Sequence, residues 1–235
     1  MSLSFIIPAL NEEKHIGKCV AAIAPQLEDD DEIIVVDNGS TDQTVAIARQ
    51  HGARVVTETK KGISNARNAG VLHSKGNIVC FIDADGILSP NWAKMTRAHL
   101  NQRDINAVVG LNVFAHRQAH KFLIYNGYTI LAYSGVVLLK LLKGNMYLAG
   151  NNLAIRKKIF TNLGGFEPVV GEDYWFSKKF WQQKNKKAVF DPRLIVKYSS
   201  RGFDTAGYFK TLQLWLKSSV TKIPQDTYRF DNKSL

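Results

Sequence analysis

Short apolar blocks recur along the first third of the chain at residues 3–7, 32–36, 54–57 and 78–82. Their near-continuous hydrophobicity predicts strands buried on both faces, as in a parallel sheet. Pro8 is expected to stop the first strand. The second ends at Asp37, and the fourth runs Ile78-Val79-Cys80-Phe81-Ile82 into Asp83. Between the blocks, apolar residues fall at helical spacing. One helix is expected over 12–24, capped by Asn11, turning Val20 and Ile23 inward and ended by Pro25. Ser40 with Gln43 has the form of a capping box for a helix reaching about residue 51, ended by Gly52. Residues 62–71 read as a third helix, with Gly76 closing the segment. Ser89-Pro90 predicts an N-cap followed by a proline at the first helical position. Strands alternating with helices at this spacing imply right-handed βαβ units and a mostly parallel sheet.

Three of these strands end in polar clusters: Ala9-Leu10-Asn11-Glu12, Asp37-Asn38-Gly39-Ser40 and Asp83-Ala84-Asp85. A parallel sheet gathers all three at its carboxyl edge, where ligands enter an open α/β fold. Asp83 and Asp85 are hard oxygen donors, and Mg²⁺ or Mn²⁺ shares such donors with phosphates. They form a candidate site for a metal-bound nucleotide diphosphate; alone, the same residues simply close a strand with an acidic turn. No Gly-x-Gly-x-x-Gly follows the first strand and no Gly-x-x-x-x-Gly-Lys-Ser/Thr occurs, which argues against dinucleotide-dependent dehydrogenases and P-loop enzymes. No Cys/His cluster has zinc-site spacing.

Together, Ile6-Ile7-Pro8-Ala9-Leu10-Asn11-Glu12, Ile34-Val35-Val36-Asp37-Asn38-Gly39-Ser40-Thr41-Asp42, Lys61-Gly62-Ile63-Ser64-Asn65-Ala66-Arg67-Asn68 and Asp83-Ala84-Asp85 resemble the ordered motifs of family 2 glycosyltransferases. The resemblance runs from residue 3 to about residue 203. It implies an α/β chain of the GT-A fold and an inverting, metal-dependent transfer from a UDP- or GDP-linked sugar. By motif position the donor nucleotide would be held by Pro8, Ala9, Asn11, Glu12, Asp37, Gly39, Ser40, Gly62, Arg67, Asp83 and Ala84. Asp37 would meet the base, and Arg67 the diphosphate. Asp85 with Asp83 would hold Mn²⁺ or Mg²⁺.

Later segments resemble the acceptor side of the same family. Leu148-Ala149-Gly150-Asn151-Asn152 would lead a strand back to the sheet edge, followed by the turn Gly164-Gly165-Phe166. The resemblance places Gly150, Asn151, Gly164, Gly165 and Glu172 on the acceptor side. Asp173 would be the base, with Glu172 the second choice for it. An inverting transfer needs one carboxylate to take the proton of the attacking hydroxyl. Phe176, Phe180 and Trp181 read as the core flank of the helix that follows, and Arg201 is a weaker candidate for diphosphate contact.

Charge separates the two halves. Of the 235 residues, those up to 114 carry 11 Lys/Arg against 13 Asp/Glu, and the rest carry 20 against 7. Residues 122–139 are uncharged between Lys121 and Lys140. They are interrupted by Asn126, Gly127, Thr129, Ser134 and Gly135 and patterned as an amphipathic helix. Tyr208, Phe209, Leu212, Trp215 and Leu216 with Lys210 and Lys217 suggest a second such segment. The expectation is one domain whose first half handles the donor, and whose basic half meets a glycan or lipid-linked acceptor at an anionic membrane surface. No basic start precedes the first strand, so no signal peptide is expected. Two cysteines, Cys19 and Cys80, fit buried free thiols in a reducing compartment, and with the basic half the expected location is the cytoplasm, peripheral on the inner face of a membrane. The charge comes with no nucleic-acid-binding motif, so no nucleic-acid partner is expected. A non-catalytic nucleotide-sugar or glycan-binding module of the same fold remains the alternative.

Overall fold

The structure, a computed structural model, describes residues 1–115, 126–127, 146–199, 213–214 and 217–225. The first half runs β1 (Leu3–Ala9), α1 (Ile16–Ile23), β2 (Glu32–Asp37), α2 (Thr44–Gln50), β3 (Arg54–Thr57), α3 (Ile63–His73) and β4 (Ile78–Ile82). It continues with β5 (Ile87–Leu88), α4 (Trp92–Leu100) and β6 (Ala107–Ala115). After residue 146 come β7 (Asn152–Arg156), α5 (Lys157–Asn162), α6 (Glu172–Gln182) and β8 (Ala188–Ser199).

Among the described residues the strands form one sheet in the order β3-β2-β1-β4-β7-β6-β8-β5. The first four are mutually parallel. β7 enters antiparallel to both β4 and β6, so the returning strand lies inside the sheet and not at its edge. β6 and β8 are parallel with a register shift at Gly110/Leu111, and β5 closes the far side antiparallel to β8. The parallel register brings the ends of β1, β2 and β4 to one edge, as the apolar blocks predict.

Burial on both faces holds residue by residue. Leu3, Phe5 and Ile7 of β1, with Ile78, Cys80 and Ile82 of β4, pack against Ile16, Cys19, Val20 and Ile23 of α1 and Trp92 of α4. Their alternates Ile6, Val79 and Phe81 enter the opposite layer with α3, α5 and α6. There Phe81, Phe160, Phe166 and Phe176 pack with ring centroids 5.0–5.1 Å apart. Full burial contributes about 1.5–3 kcal/mol for each such side chain, which fixes α5 and α6 on the sheet. At Gly70 a methyl group would collide with Ile6 Cγ2, so its absence lets α3 lie directly on β1.

Several predicted termini differ. β1 continues through Pro8 to Ala9 because its pairing with β4 ends at Ile6; a residue without an N–H is tolerated where only β2 remains alongside. α1 starts at Ile16, four residues after the predicted start, and Asn11 adopts a left-handed φ of 55° instead of capping it. α2 begins at Thr44, and the Asp42 carboxylate, not Ser40, accepts the Thr44 N–H at 2.9 Å. α4 begins at Trp92 after a left-handed Asn91, while Ser89 Oγ accepts the Ile195 N–H at 3.2 Å. Each predicted cap side chain is used instead to tie its loop to a segment distant in the chain. Most of the two predicted amphipathic segments, and Arg201, lie outside the described residues. Asn126 is described, and its amide pairs with the backbone of Phe114 at 2.9 and 3.1 Å. No helix among the described residues is long and apolar enough to cross a membrane.

Candidate active site

The β1 and β2 ends are bound to each other through backbone and side chains. Asn38 N–H donates to Ala9 O at 2.9 Å, and Asn11 N–H donates to Ser40 Oγ at 3.0 Å. In return Thr41 N–H donates to Asn11 Oδ1 at 2.8 Å, and Glu12 N–H donates to Thr44 Oγ1 at 2.7 Å. Asp37 is buried and turned into its own loop, accepting Gly39 N–H at 3.3 Å and Ser40 N–H at 3.0 Å. A carboxylate has about four lone-pair sites, so two remain for a ligand. Asn38 extends the cluster to the start of α3: its amide donates to Glu58 O and Lys60 O and accepts the Gly62 N–H at 2.8 Å. Thus Pro8, Ala9, Asn11, Glu12, Asp37, Gly39, Ser40 and Gly62 lie on one connected edge.

Arg67 joins this edge to the later acids. Its side chain is 3% exposed, with Nη2 2.7 Å from Asp83 Oδ1 and Nη1 bonded to Glu172 Oε1. Burial opposes its charge, but Asp83, Glu172 and Asp173 outweigh burial and hold the guanidinium protonated well above its ordinary range. Arg67 Nε is buried without a hydrogen-bond partner among the described residues. Glu172 is pushed up to about 7 by burial; Arg67 opposes the rise, while Asp173 and Asp83 add to it. With three carboxylates around one guanidinium, a proton on the most buried acid relieves the excess negative charge.

Asp173 is less buried than Glu172. Its Oδ2 accepts Gly150 N–H at 3.1 Å and its Oδ1 accepts Tyr174 N–H at 2.9 Å. A Cβ on Gly150 would stand 3.0 Å from Arg67 Nη1 and 3.3 Å from Asp173 Cβ, so glycine there is what lets the β7 entry pass between them. The neighbouring Asn151 accepts Asn112 Nδ2 on its side chain at 2.8 Å and the Tyr198 hydroxyl on its carbonyl. Gly164 and Gly165 turn the chain after α5. The close neighbour that Gly165 admits is Asn68, whose amide bonds Phe166 N and O at 3.0 and 2.8 Å.

Two groups that the motifs did not bring forward report the local field. Cys19, whose thiol donates to Asp83 O at 3.6 Å, is held protonated by burial and then by Asp85, Asp83 and Glu12. Tyr198, buried beneath the Asp83–Gly86 turn, is raised by burial and then by Asp83 and Asp85, with Arg67 opposing. Asp83, Asp85, Glu12 and Arg67 therefore act on the same small region. Its negative field suits a cation. Among the described residues no cluster of three or more His, Cys, Asp or Glu could hold a metal ion by itself. Asp83 and Asp85 supply hard oxygen donors at a partly exposed turn, which fits Mg²⁺ or Mn²⁺ sharing its remaining positions with phosphates.

Comparison with known proteins is consistent with this edge. The family model described as glycosyl transferase family 2 matches residues 4–164. An uncharacterised glycosyltransferase of Mycobacterium tuberculosis is 42% identical over 85 residues, 36% of this chain and 37% of that protein. The matched segment thus spans little more than a third of that curated relative. Glucosyl-3-phosphoglycerate synthase from M. tuberculosis, crystallised with Mn²⁺, UDP-glucose and phosphoglyceric acid, is similar in structure at a TM-score of 0.66 and 25% identity. That likeness covers 95% of this chain and 80% of the synthase. Residues 1–349 of Staphylococcus aureus TarS, in complex with UDP-GlcNAc, share the fold at a TM-score of 0.64 and 18% identity, over 86% of this chain and 59% of that one.

Proposed function

The chain belongs to glycosyl transferase family 2, and from that premise we propose that it transfers a sugar from a nucleotide sugar to an acceptor hydroxyl, with inversion. The observation that carries this reading is Arg67, whose one buried guanidinium holds both Asp83 at the donor edge and Glu172 beside Asp173. Asp37, Pro8 and Glu12 would line the place for the base, and Arg67, buried between Asp83 and Glu172, would act on the diphosphate by orienting Asp83. Asp85 and Asp83 would hold Mn²⁺ or Mg²⁺, which when bound supplies Lewis-acid stabilisation of the diphosphate. Asp173 takes the proton of the acceptor hydroxyl as that oxygen bonds to the anomeric carbon and the bond to the diphosphate breaks. Its oxygens accept the backbone N–H groups of Gly150 and Tyr174, which fix the direction of the carboxylate. The synthase crystallised with UDP-glucose supports a UDP-linked donor.

The 20 Lys/Arg against 7 Asp/Glu beyond residue 114 support an acceptor that is lipid-linked or part of a cell-envelope glycan, met at the inner face of a membrane by a single-domain enzyme. Binding to anionic vesicles at low salt, reversed by high salt, is the expected result; no binding at low salt rejects the membrane part.

The reaction itself is tested by incubating the protein with UDP- and GDP-sugars, with and without Mn²⁺, and measuring nucleoside diphosphate release. Metal-dependent release from one donor, lost in Asp85→Ala, is expected. Nucleotide and Mn²⁺ should also raise the melting temperature of the wild type. Stabilisation without turnover on any donor and acceptor offered would favour the binding-module alternative, and neither response would reject both.

A further inference from the structure

The segment at 217–225 lies beyond the family match, yet it grips the loop that leads into Glu172 and Asp173. Val170 N–H donates to Ile223 O at 2.7 Å, and Gln225 N–H donates to Pro168 O at 3.1 Å. Trp175 Nε1 donates to Ser218 O at 3.1 Å, and Lys222 pairs with Glu167. At the end of this strap the Gln225 side chain turns inward. Its Nε2 donates to Val169 O and to Ser64 Oγ, both at 2.9 Å, and stands 3.4 Å from Glu172 Oε2. Its Oε1 accepts Ser64 N–H at 3.3 Å and occupies the space that a side chain on Gly62 would need.

Two neighbours of Arg67 meet at that amide, alongside the direct Asp83 bond and the Ser64 Oγ donation to Glu167 O at 2.7 Å. Ser64 lies one turn before Arg67 on α3, and Glu172 is the carboxylate bonded to Arg67 Nη1. We propose that Gln225 is a positioning residue: its amide locks the start of α3 to the Glu172 loop and so aims Arg67 at Asp83. This rests on the reading of the site given above. Gln225 touches no reacting atom in that reading. It sets the direction of a guanidinium whose misplacement affects the transition state more than donor binding, since small errors of orientation cost rate steeply. A strap that merely anchored the chain would act through Lys222 and Ser218 as much as through the amide.

The test compares Gln225→Met, which keeps length and loses both hydrogen-bonding functions, with Lys222→Ala, which loosens the strap and keeps the amide. The guanidinium N–H signals of Arg67, assigned by their loss in Arg67→Lys, are followed by NMR in metal-free protein. In Gln225→Met these signals are expected to shift and exchange faster with water, with kcat down about tenfold and donor KM within about twofold. Gln225→Glu keeps the shape but not the donor; it is expected to give the same two losses, and it serves if the Met variant does not fold. Lys222→Ala is expected to leave the Arg67 signals and kcat unchanged. Unchanged Arg67 signals in the Gln225 variants, or the same changes in Lys222→Ala, would overturn the proposal. A wild type inactive with every donor rejects the functional reading instead, and the Arg67 signals still decide the role of Gln225.

Discussion

The two sides of the candidate site are built in different ways. At the donor edge, Asn11, Asp37, Asn38, Ser40 and Thr44 satisfy one another through short bonds to backbone N–H and C=O groups. Negative charge on Asp37 is spread over two amides of its own turn. On the acid side, Glu172 is buried against one guanidinium that it shares with Asp83 and, through the field, with Asp173. The donor edge is therefore tied together as folded, with two acceptor sites of Asp37 left for a ligand. The acid side holds more negative charge than its one cation balances, and it should respond to both pH and substitution.

The largest expected separation is in Asp173→Asn. The variant keeps the shape and one acceptor oxygen but cannot take a proton. Turnover should fall by about 10²–10⁴, the usual contribution of a positioned base. Thermal stabilisation by nucleoside diphosphate with Mn²⁺ should stay as in wild type, because no donor-edge contact changes. A parallel loss of nucleotide stabilisation would mean that the two sides are one unit and would break the comparison.

Glu172 gives the next effect, and its sign follows from its proton. Burial raises it from the ordinary 4.5 to about 7, so between those values the folded chain holds a proton that the unfolded chain has lost. Stability from this group is full below about 4.5 and is lost as pH rises through about 7. Glu172→Gln cannot titrate and keeps an acceptor for Arg67. In metal-free protein its stability relative to wild type should therefore improve with rising pH by about 3 kcal/mol and level off above neutrality. Urea unfolding from pH 4.5 to 8.5 measures it. A difference independent of pH would show that Arg67 keeps Glu172 ionised throughout, with the ion pair stronger than the cost of burial.

The same contrast explains what could be read from the chain. The strands and the donor edge were legible because each cluster directly follows its apolar block, so topology alone brings Asp37 and Asp83 to one side. The caps were misread because Asn11, Ser40 and Ser89 spend their side chains on segments 30, 29 and 106 residues away, which no local pattern shows. Arg67 was legible as a motif residue, but its pairing with Glu172 at a separation of 105 residues was not. Gln225 carried no signal at all: its partner Ser64 is 161 residues distant, and a lone glutamine in a polar tail has no periodicity to mark it. Placing β7 between β4 and β6 likewise needed knowledge of which strand would remain unpaired.

Tyr198 offers the finest test, because it touches both sides. Its ring lies under the Asp83–Gly86 turn, where a Cβ on Gly86 would come within 2.9 Å of Tyr198 Cε1, and its hydroxyl donates to Asn151 O beside Gly150. Tyr198→Phe keeps the ring beneath the donor turn and removes only the bond to the acid side. Loss of one buried hydrogen bond should cost about 1 kcal/mol. That corresponds to about 2–4 °C in melting temperature for a chain of this size. Stabilisation by nucleotide and Mn²⁺ should not change, since the packing under Asp83 and Asp85 is intact. If that stabilisation falls together with the melting temperature, the donor turn takes its shape from the acceptor-side loop through Asn151, and the division between a self-tied edge and a dependent one lies on the wrong side of β4.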